Sequence, residues 1–243
     1  GNMYRAGEGV PQNHAEAVKW FRKAAEQGYA PAQYVLGVSY AEGTGVPENH
    51  AEAVKWYLKA AEQGLAYAQS NLGVMYDEGT GVPENDAEAM KWFRKAAEQG
   101  FAQAQFNLGQ MNFEGRGVDV NYAEALKWYL AGAKQGDPQS IYNAGFMYDN
   151  GFGTSVDDAE AFRWYGLAAV AYMPQAMFNI GNMYWHGRGT APNKIIAYVW
   201  WNLAEEFGIV QATQNIRIAK SKMSHIEIAE AKRLIEEWWE HNN

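Results

Sequence analysis

A chain of 243 residues with 48% hydrophobic and 20% charged residues has the composition of a folded protein, although 10 Trp, 15 Tyr and 10 Phe make it unusually aromatic. Its formal charge of −8, with basic residues interleaved among acids, argues against nucleic acid as a partner, and its longest apolar stretch, Ile195 to Trp201, falls far short of the roughly 18 residues of a membrane span. The absence of cysteine excludes a disulfide framework, a thiolate metal site and a cysteine nucleophile.

The chain opens inside a repeat. Gly1-Asn2-Met3-Tyr4 matches Gly181-Asn182-Met183-Tyr184, so a longer precursor is expected, with any targeting signal ahead of Gly1. From there one pattern recurs every 36 residues: Gly7, Gly43, Gly79, Gly115, Gly151 and Gly187 keep that spacing. So do Gly9, Gly45, Gly81, Gly117, Gly153 and Gly189, and the tryptophans Trp20, Trp56, Trp92, Trp128, Trp164 and Trp200. Within one unit, Ala32, Leu36 and Tyr40 lie on one stripe of a first helix, helix A, which ends at Gly43-Thr44-Gly45. Asn49 then caps a second helix, helix B, with Glu52 three residues on. Such a pair is expected to satisfy the helix start reciprocally, and it recurs as Asn13/Glu16, Asn85/Glu88, Asn121/Glu124 and Asp157/Glu160. Helix B carries Ala53, Trp56, Tyr57, Ala60 and Ala61 on its apolar face and stops at Gly64.

Later units depart from the pattern in three places. Asn112 replaces the helix A tyrosine, and Ile196 replaces the capping glutamate. Tyr172 stands where the others have Gly28, Gly64, Gly100, Gly136 and Gly208, so the link after the fifth helix B is expected to be reshaped, because a bulky residue disfavours a left-handed backbone. At the end, Ser224 and Glu227 form a capping box for a helix running to about Glu240, with Ile228, Ala231, Leu234, Ile235 and Trp238 on its stripe and Trp239 at its edge or exposed. Residues 217–243 are read as a cap.

Each helix pair alone leaves its apolar face in water, and burying one such side chain is worth roughly 1.5–3 kcal/mol, so neighbouring units must stack. The expected fold is all-α: an α/α superhelix, or solenoid, of six 36-residue helix-turn-helix repeats plus a C-terminal capping helix, forming one array over residues 1–243 with the tryptophan column in its core.

The run Ala-x-x-x-Leu-Gly-x-x-Tyr, then Gly-x-Gly-Val, then Ala-x-x-Trp-Tyr/Phe-x-x-Ala-Ala-x-x-Gly resembles the Sel-one-like repeat family, a relative of tetratricopeptide repeats with a longer inter-helix loop. The resemblance covers nearly the whole chain. It implies an adaptor or scaffold in protein complexes, a bacterial source and a periplasmic or secreted setting rather than a cytoplasmic one. It also implies that helix A lines a concave side.

No catalytic residue, cofactor site or metal site is expected. The competing reading is a cell-wall-related enzyme or ligand-binding protein of the β-lactam-binding type, as in some cysteine-rich members of that family. This chain lacks the cysteines, and it contains no Ser-x-x-Lys, Ser-Asp-Asn, Lys-Thr-Gly or Gly-x-Ser-x-Gly. His14 and His50 read as surface residues beside a helix cap, with no His-Glu-x-x-His to make them ligands. The acids from Asp149 to Glu160 do not form a calcium loop, because Gly151 and Gly153 fall where oxygen ligands are needed.

A protein or peptide partner is expected on the face of helix A opposite the core stripe, with neither nucleic-acid binding nor membrane insertion. Positions equivalent to Tyr34, Val38 and Ala41 vary from unit to unit, and Phe106, Phe113, Tyr142, Phe146, Phe178 and Trp185 crowd the second half of that face. These six either pack against the adjacent unit or anchor a partner, as aromatics in grooves commonly do. Self-association through an end or a face is a third alternative.

Overall fold

The computed structural model describes residues 1–242, and every regular element among them is an α-helix. The A-type helices are α1 (Asn2–Ala6), α3 (Ala30–Glu42), α5 (Ala66–Glu78), α7 (Ala102–Glu114), α9 (Pro138–Asn150) and α11 (Pro174–His186). The B-type helices are α2 (His14–Glu26), α4 (His50–Glu62), α6 (Asp86–Glu98), α8 (Tyr122–Ala133), α10 (Asp158–Val170) and α12 (Lys194–Glu206). A further pair, α13 (Gln211–Lys222) and α14 (His225–Asn242), follows. The helices gather into two compact units, one of residues 1–121 and one from Tyr122 onward. In the first, packing runs in chain order from α2 through α7; in the second it runs from α8 through α12, with α13 and α14 both against α12. Within each unit the helix pairs stack one on the next, as the period requires.

The helix ends follow from local chemistry. Gly43 closes α3 in a left-handed conformation, φ 68°, which a residue with a Cβ adopts only at a cost. Asn13, Asn49 and Asn85 each accept a hydrogen bond from the N–H of the glutamate three residues on, at 3.0–3.1 Å. The reciprocal half of the box does not form at these helices. The cap's own N–H instead donates to the tyrosine carbonyl of the preceding A-type helix, as Asn49 N does to Tyr40 O and Asn85 N to Tyr76 O, both at 2.8 Å. The glutamate is thereby freed to bind the lysine three residues on, and the Lys55 ammonium, 2.8 Å away, holds the Glu52 carboxyl below the usual carboxylate range. A true reciprocal box forms at α14, where Glu227 N donates to Ser224 Oγ at 3.2 Å and Ser224 N to Glu227 Oε2 at 2.7 Å.

The Leu-Gly pair of the A-type helices has a steric reason. A Cβ on Gly37 would lie 2.6 Å from the Tyr57 ring, one on Gly73 2.6 Å from Phe93 and one on Gly181 2.7 Å from Trp201. The missing side chain lets the aromatic beside each tryptophan sink completely, and Tyr165 is 0% exposed. Trp56, Trp92, Trp128 and Trp164 are buried as expected. Trp56 shares one buried cluster with Val18 and Ala25 of α2 and with Ala32 and Leu36 of α3, so the tryptophan belongs to a core that includes the B-type helix before its own. That arrangement corrects the reading of the column as uniformly core. No B-type helix precedes α2 among the described residues, and Trp20 is 49% exposed, with Lys23 Nζ 4.7 Å from its ring centroid. Trp200 is only half-buried, although Trp201 beside it lies over Gly181 as Tyr57 lies over Gly37.

The expected reshaping after α10 does not occur. Tyr172 takes φ 60°, and its N–H bonds Ala169 O at 3.1 Å as Gly28 N bonds Ala25 O at 3.0 Å. A left-handed backbone costs about 1–2 kcal/mol in a residue with a Cβ. Ring contacts to Trp238 (5.6 Å between centroids) and Phe207 (6.3 Å) offset it, since aromatic pairs contribute about 0.5–1.5 kcal/mol each. Asn112, in place of the tyrosine, is buried with Nδ2 donating to Leu108 O at 2.6 Å, and Asn121 N still donates to its carbonyl. Asn193 still caps Ile196 N at 3.1 Å. The covering element at the end is a hairpin rather than one helix. Residue 217 lies inside α13, which buries Ala212 and Ile216, while α14 buries Ala231 and packs Ile228, Leu234, Ile235, Trp238 and the half-buried Trp239 against the unit's core.

Candidate partner-binding face

Two rows stay half-buried in the A-type helices from α3 to α11: Val38, Val74, Gln110, Phe146 and Asn182, then Ala41, Asp77, Phe113, Asp149 and Trp185; the equivalents in α1, Asn2 and Arg5, are exposed. The row that starts at Tyr34 is half-buried too, except for Ser70, which is buried. All six aromatics singled out in the sequence are half-buried. Phe106 and Phe113 lie in the first unit. In the second, Tyr142 lies 5.6 Å from the Tyr165 ring, Phe146 5.8 Å from Phe152 and Trp185 5.3 Å from Trp201, and Phe178 packs on the same core. These four pack on their neighbours and still keep part of their surface in solvent.

Sequence reasoning missed the polar groups between these rings. The Asn71 amide lies beside the hydroxyls of Tyr34 and Tyr57, and three repeats on the Asn179 amide lies beside those of Tyr142 and Tyr165. Burial raises all four phenols above the ordinary tyrosine value, Tyr57 to about 12, so at neutral pH they are hydrogen-bonding groups and not charges. The available signal was the recurrence of Asn71, Asn107, Asn143 and Asn179 at the repeat spacing.

A second missed feature runs along the loop edge of the face. Three positions meet there: the last turn of an A-type helix, the first residue of the following B-type helix, and the residue between the loop glycines of the next repeat. In one such junction Arg116 binds Asp77, donates Nε–H to Glu114 at 2.8 Å and lies 4.0 Å from Asp86. Burial alone would lower the Arg116 guanidinium, but Asp77 and Glu114 hold it above the ordinary arginine value. In the second unit Arg188 repeats the arrangement with Asp158, at 2.6 Å, and with Asp149. Between these two loops in sequence, Phe152 takes the arginine's place, 4.8 Å from the Tyr122 ring. Thr80 takes it one repeat before Arg116, with Ala41 and His50 in place of the two aspartates, and there a cleft of about 220 Å³ remains. Another, of about 280 Å³, lies one repeat earlier beside Thr44, Arg5 and Glu42.

Among the described residues no group of three or more His, Asp or Glu is placed to hold a metal ion, and no described helix is long and apolar enough to cross a membrane.

The stacked helix pairs, the loop glycines and the Leu-Gly contacts correspond to one described repeat. The Sel1 repeat model matches six times, over residues 1–29, 30–65, 66–101, 102–137, 138–169 and 174–206. The chain belongs to the Sel1 repeat family. Solved structures of bacterial proteins are similar to this Sel1 repeat chain. One is a protective antigen of uropathogenic Escherichia coli strains with an SLR fold, 38% identical with a TM-score of 0.88 over 98% of this chain and 52% of that one. The chain thus spans about half the length of that relative. Another is a Sel1 repeat protein from Oxalobacter formigenes, 35% identical with a TM-score of 0.77, covering 88% of this chain and 84% of that one. No curated protein matches. Sel1 repeats mediate protein interactions, and their helical repeat fold is typically non-catalytic.

Proposed function

We propose that this Sel1 repeat chain is a non-catalytic scaffold that holds a protein or polypeptide segment against the face of its A-type helices, with Phe106, Phe113, Tyr142, Phe146, Phe178 and Trp185 as anchors. One observation carries the reading. The rows beginning at Val38 and Ala41 change chemistry from repeat to repeat and remain half-buried from α3 to α11, whereas the core positions keep their small or aliphatic residues and their glycine. In a repeat fold the positions free of packing duty are those that can be specialised for a partner. The E. coli relative is described as a protective antigen, which favours an exported setting in contact with a host for this chain as well.

The test selects peptides from a random display library on the wild-type protein and measures their affinity for a triple variant, Phe113→Ala, Phe146→Ala, Trp185→Ala, whose helix content is checked by circular dichroism. Loss of one anchor typically costs 2 kcal/mol or more, about a 30-fold weaker Kd. Unchanged affinity with unchanged helix content places the partner elsewhere.

A further inference from the structure

The cleft beside Thr80 marks a junction without the arginine that Arg116 and Arg188 supply to theirs. Its backbone seat matches that of its neighbour. A Cβ on Gly81 would lie 2.5 Å from the His50 carbonyl carbon, and one on Gly117 2.8 Å from that of Asp86, so each loop presses on the start of a B-type helix in the same way. Only the side chains differ: Arg116 reaches across its junction to Asp77, while Thr80 and Ala41 are too short to fill theirs. We propose that this cleft receives the side chain of an arginine from a bound polypeptide, in the manner that Arg116 and Arg188 fill the equivalent junctions from within the chain. The inference rests on the reading of this face as a polypeptide-binding one.

The chemistry of the lining matches that occupant. Glu78 stands in the register of Glu114, the carboxylate that binds Arg116 Nε, and its side chain meets Thr80 Oγ1 at 3.4 Å. Among the described residues neither lysine nor arginine lines the cleft. His50 supplies an acceptor. Its Nε2 lies 3.1 Å from Glu48 Oε1, which assigns the ring proton to Nε2, and its buried Nδ1 has no hydrogen-bond partner. A neutral imidazole of that tautomer calls for a donor, and a guanidinium carries five in a rigid fork. Val74, Met75 and the Tyr57 ring offer apolar contact to the methylene stem, the usual way a long basic side chain buries its carbons.

The probe is N-acetyl-L-arginine amide, followed by the Met75 methyl resonance of the protein labelled at methionine methyls, with N-acetyl-L-citrulline amide as the uncharged isostere. The arginine probe is expected to give a saturable shift at least tenfold tighter than citrulline. Thr80→Arg fills the cleft from within and abolishes that shift, whereas Ala41→Asp, restoring the carboxylate that Asp77 provides, tightens it severalfold. No saturable shift with arginine, an equal response to citrulline, or undiminished binding in Thr80→Arg overturns the proposal. The selected peptides separate this from the underlying reading. If they weaken in the Phe113, Phe146, Trp185 variant yet bind Thr80→Arg as wild type, the face stands and the arginine site falls. If both variants bind them as wild type does, the face itself is wrong and the proposal goes with it.

Discussion

The two compact units build the same backbone with different interiors. In the first, Gln33, Gln69 and Gln105 are buried, and each Nε2 donates to a carbonyl at the end of the preceding B-type helix: Ala25 O at 3.1 Å, Ala61 O at 3.0 Å and Ala97 O at 3.1 Å. Gln63 and Gln99 extend the row by donating to Gln33 Oε1 and Gln69 Oε1 at 2.6 and 2.7 Å. In the second unit the same register holds Ile141 and Met177, both buried. The carbonyls facing them are not orphaned, because Gly136 N donates to Ala133 O and Tyr172 N to Ala169 O. The repeat therefore satisfies its own helix ends through the turn, and the side chain above is free to be a cross-linking amide or an apolar filler. What the repeat keeps in both units is a donor for the carbonyl at the end of each of these B-type helices.

The largest expected effect breaks the comparison at its end. Deleting residues from Gln211 onward uncovers Leu203 and Ala204 of α12, and the second unit should aggregate or lose its cooperative transition while amide exchange in the first is little changed. A melting curve identical to wild type would remove the covering role from α13 and α14.

Next in size are the tryptophans. Trp92, 4% exposed, should cost roughly 3–5 kcal/mol on replacement by alanine in urea titrations, and Trp20, at 49%, less than about 0.5 kcal/mol. Equal losses would show that the preceding B-type helix does not decide which tryptophan is core.

Exchanging the interiors sharpens the comparison. Met177→Gln places an amide in a fully buried apolar site and should cost about 1–3 kcal/mol, because its oxygen finds no donor equivalent to Gln63 or Gln99. Gln69→Met, of similar volume, should cost less than about 1.5 kcal/mol, since Ala61 O keeps the Gly64 N–H. A reversed order in chemical denaturation would refute the account of the amide row.

The smallest expected change is Tyr172→Gly. Relief of about 1–2 kcal/mol of backbone strain nearly cancels the lost ring contacts, so the melting temperature should barely move. In a Trp238→Ala background the same substitution should stabilise. Destabilisation there would mean that the aromatic cluster is not what holds Tyr172 in place.

Much of this was legible from spacing. The 36-residue recurrence of glycine and tryptophan announces the helix pairs, and Asn49 and Ser224 mark helix starts that the structure contains. The candidate face was legible only in part: Phe146 and Trp185 sit in the expected rows, but nothing local says that Phe146 packs on Phe152 or Trp185 on Trp201. The capping glutamates were misread for a related reason. A box judged from Asn49 and Glu52 alone leaves out the Tyr40 carbonyl that competes for the same N–H.

The sequence by itself determined the all-α class, the repeat and its register, because a fixed period of glycines, caps and apolar stripes leaves the backbone only one local solution. Tertiary structure alone decided which members of an identical column are covered, which junctions are filled and which backbone strain is tolerated. Trp20 and Trp92 share a column, yet one is exposed, since burial depends on the helix stacked before it. Arg116 meets Asp77 from 39 residues away, and Tyr172 is held left-handed by rings at positions 207 and 238. Contacts of that kind exist only once the helix pairs have stacked, because their partners lie about a repeat or more apart in the chain.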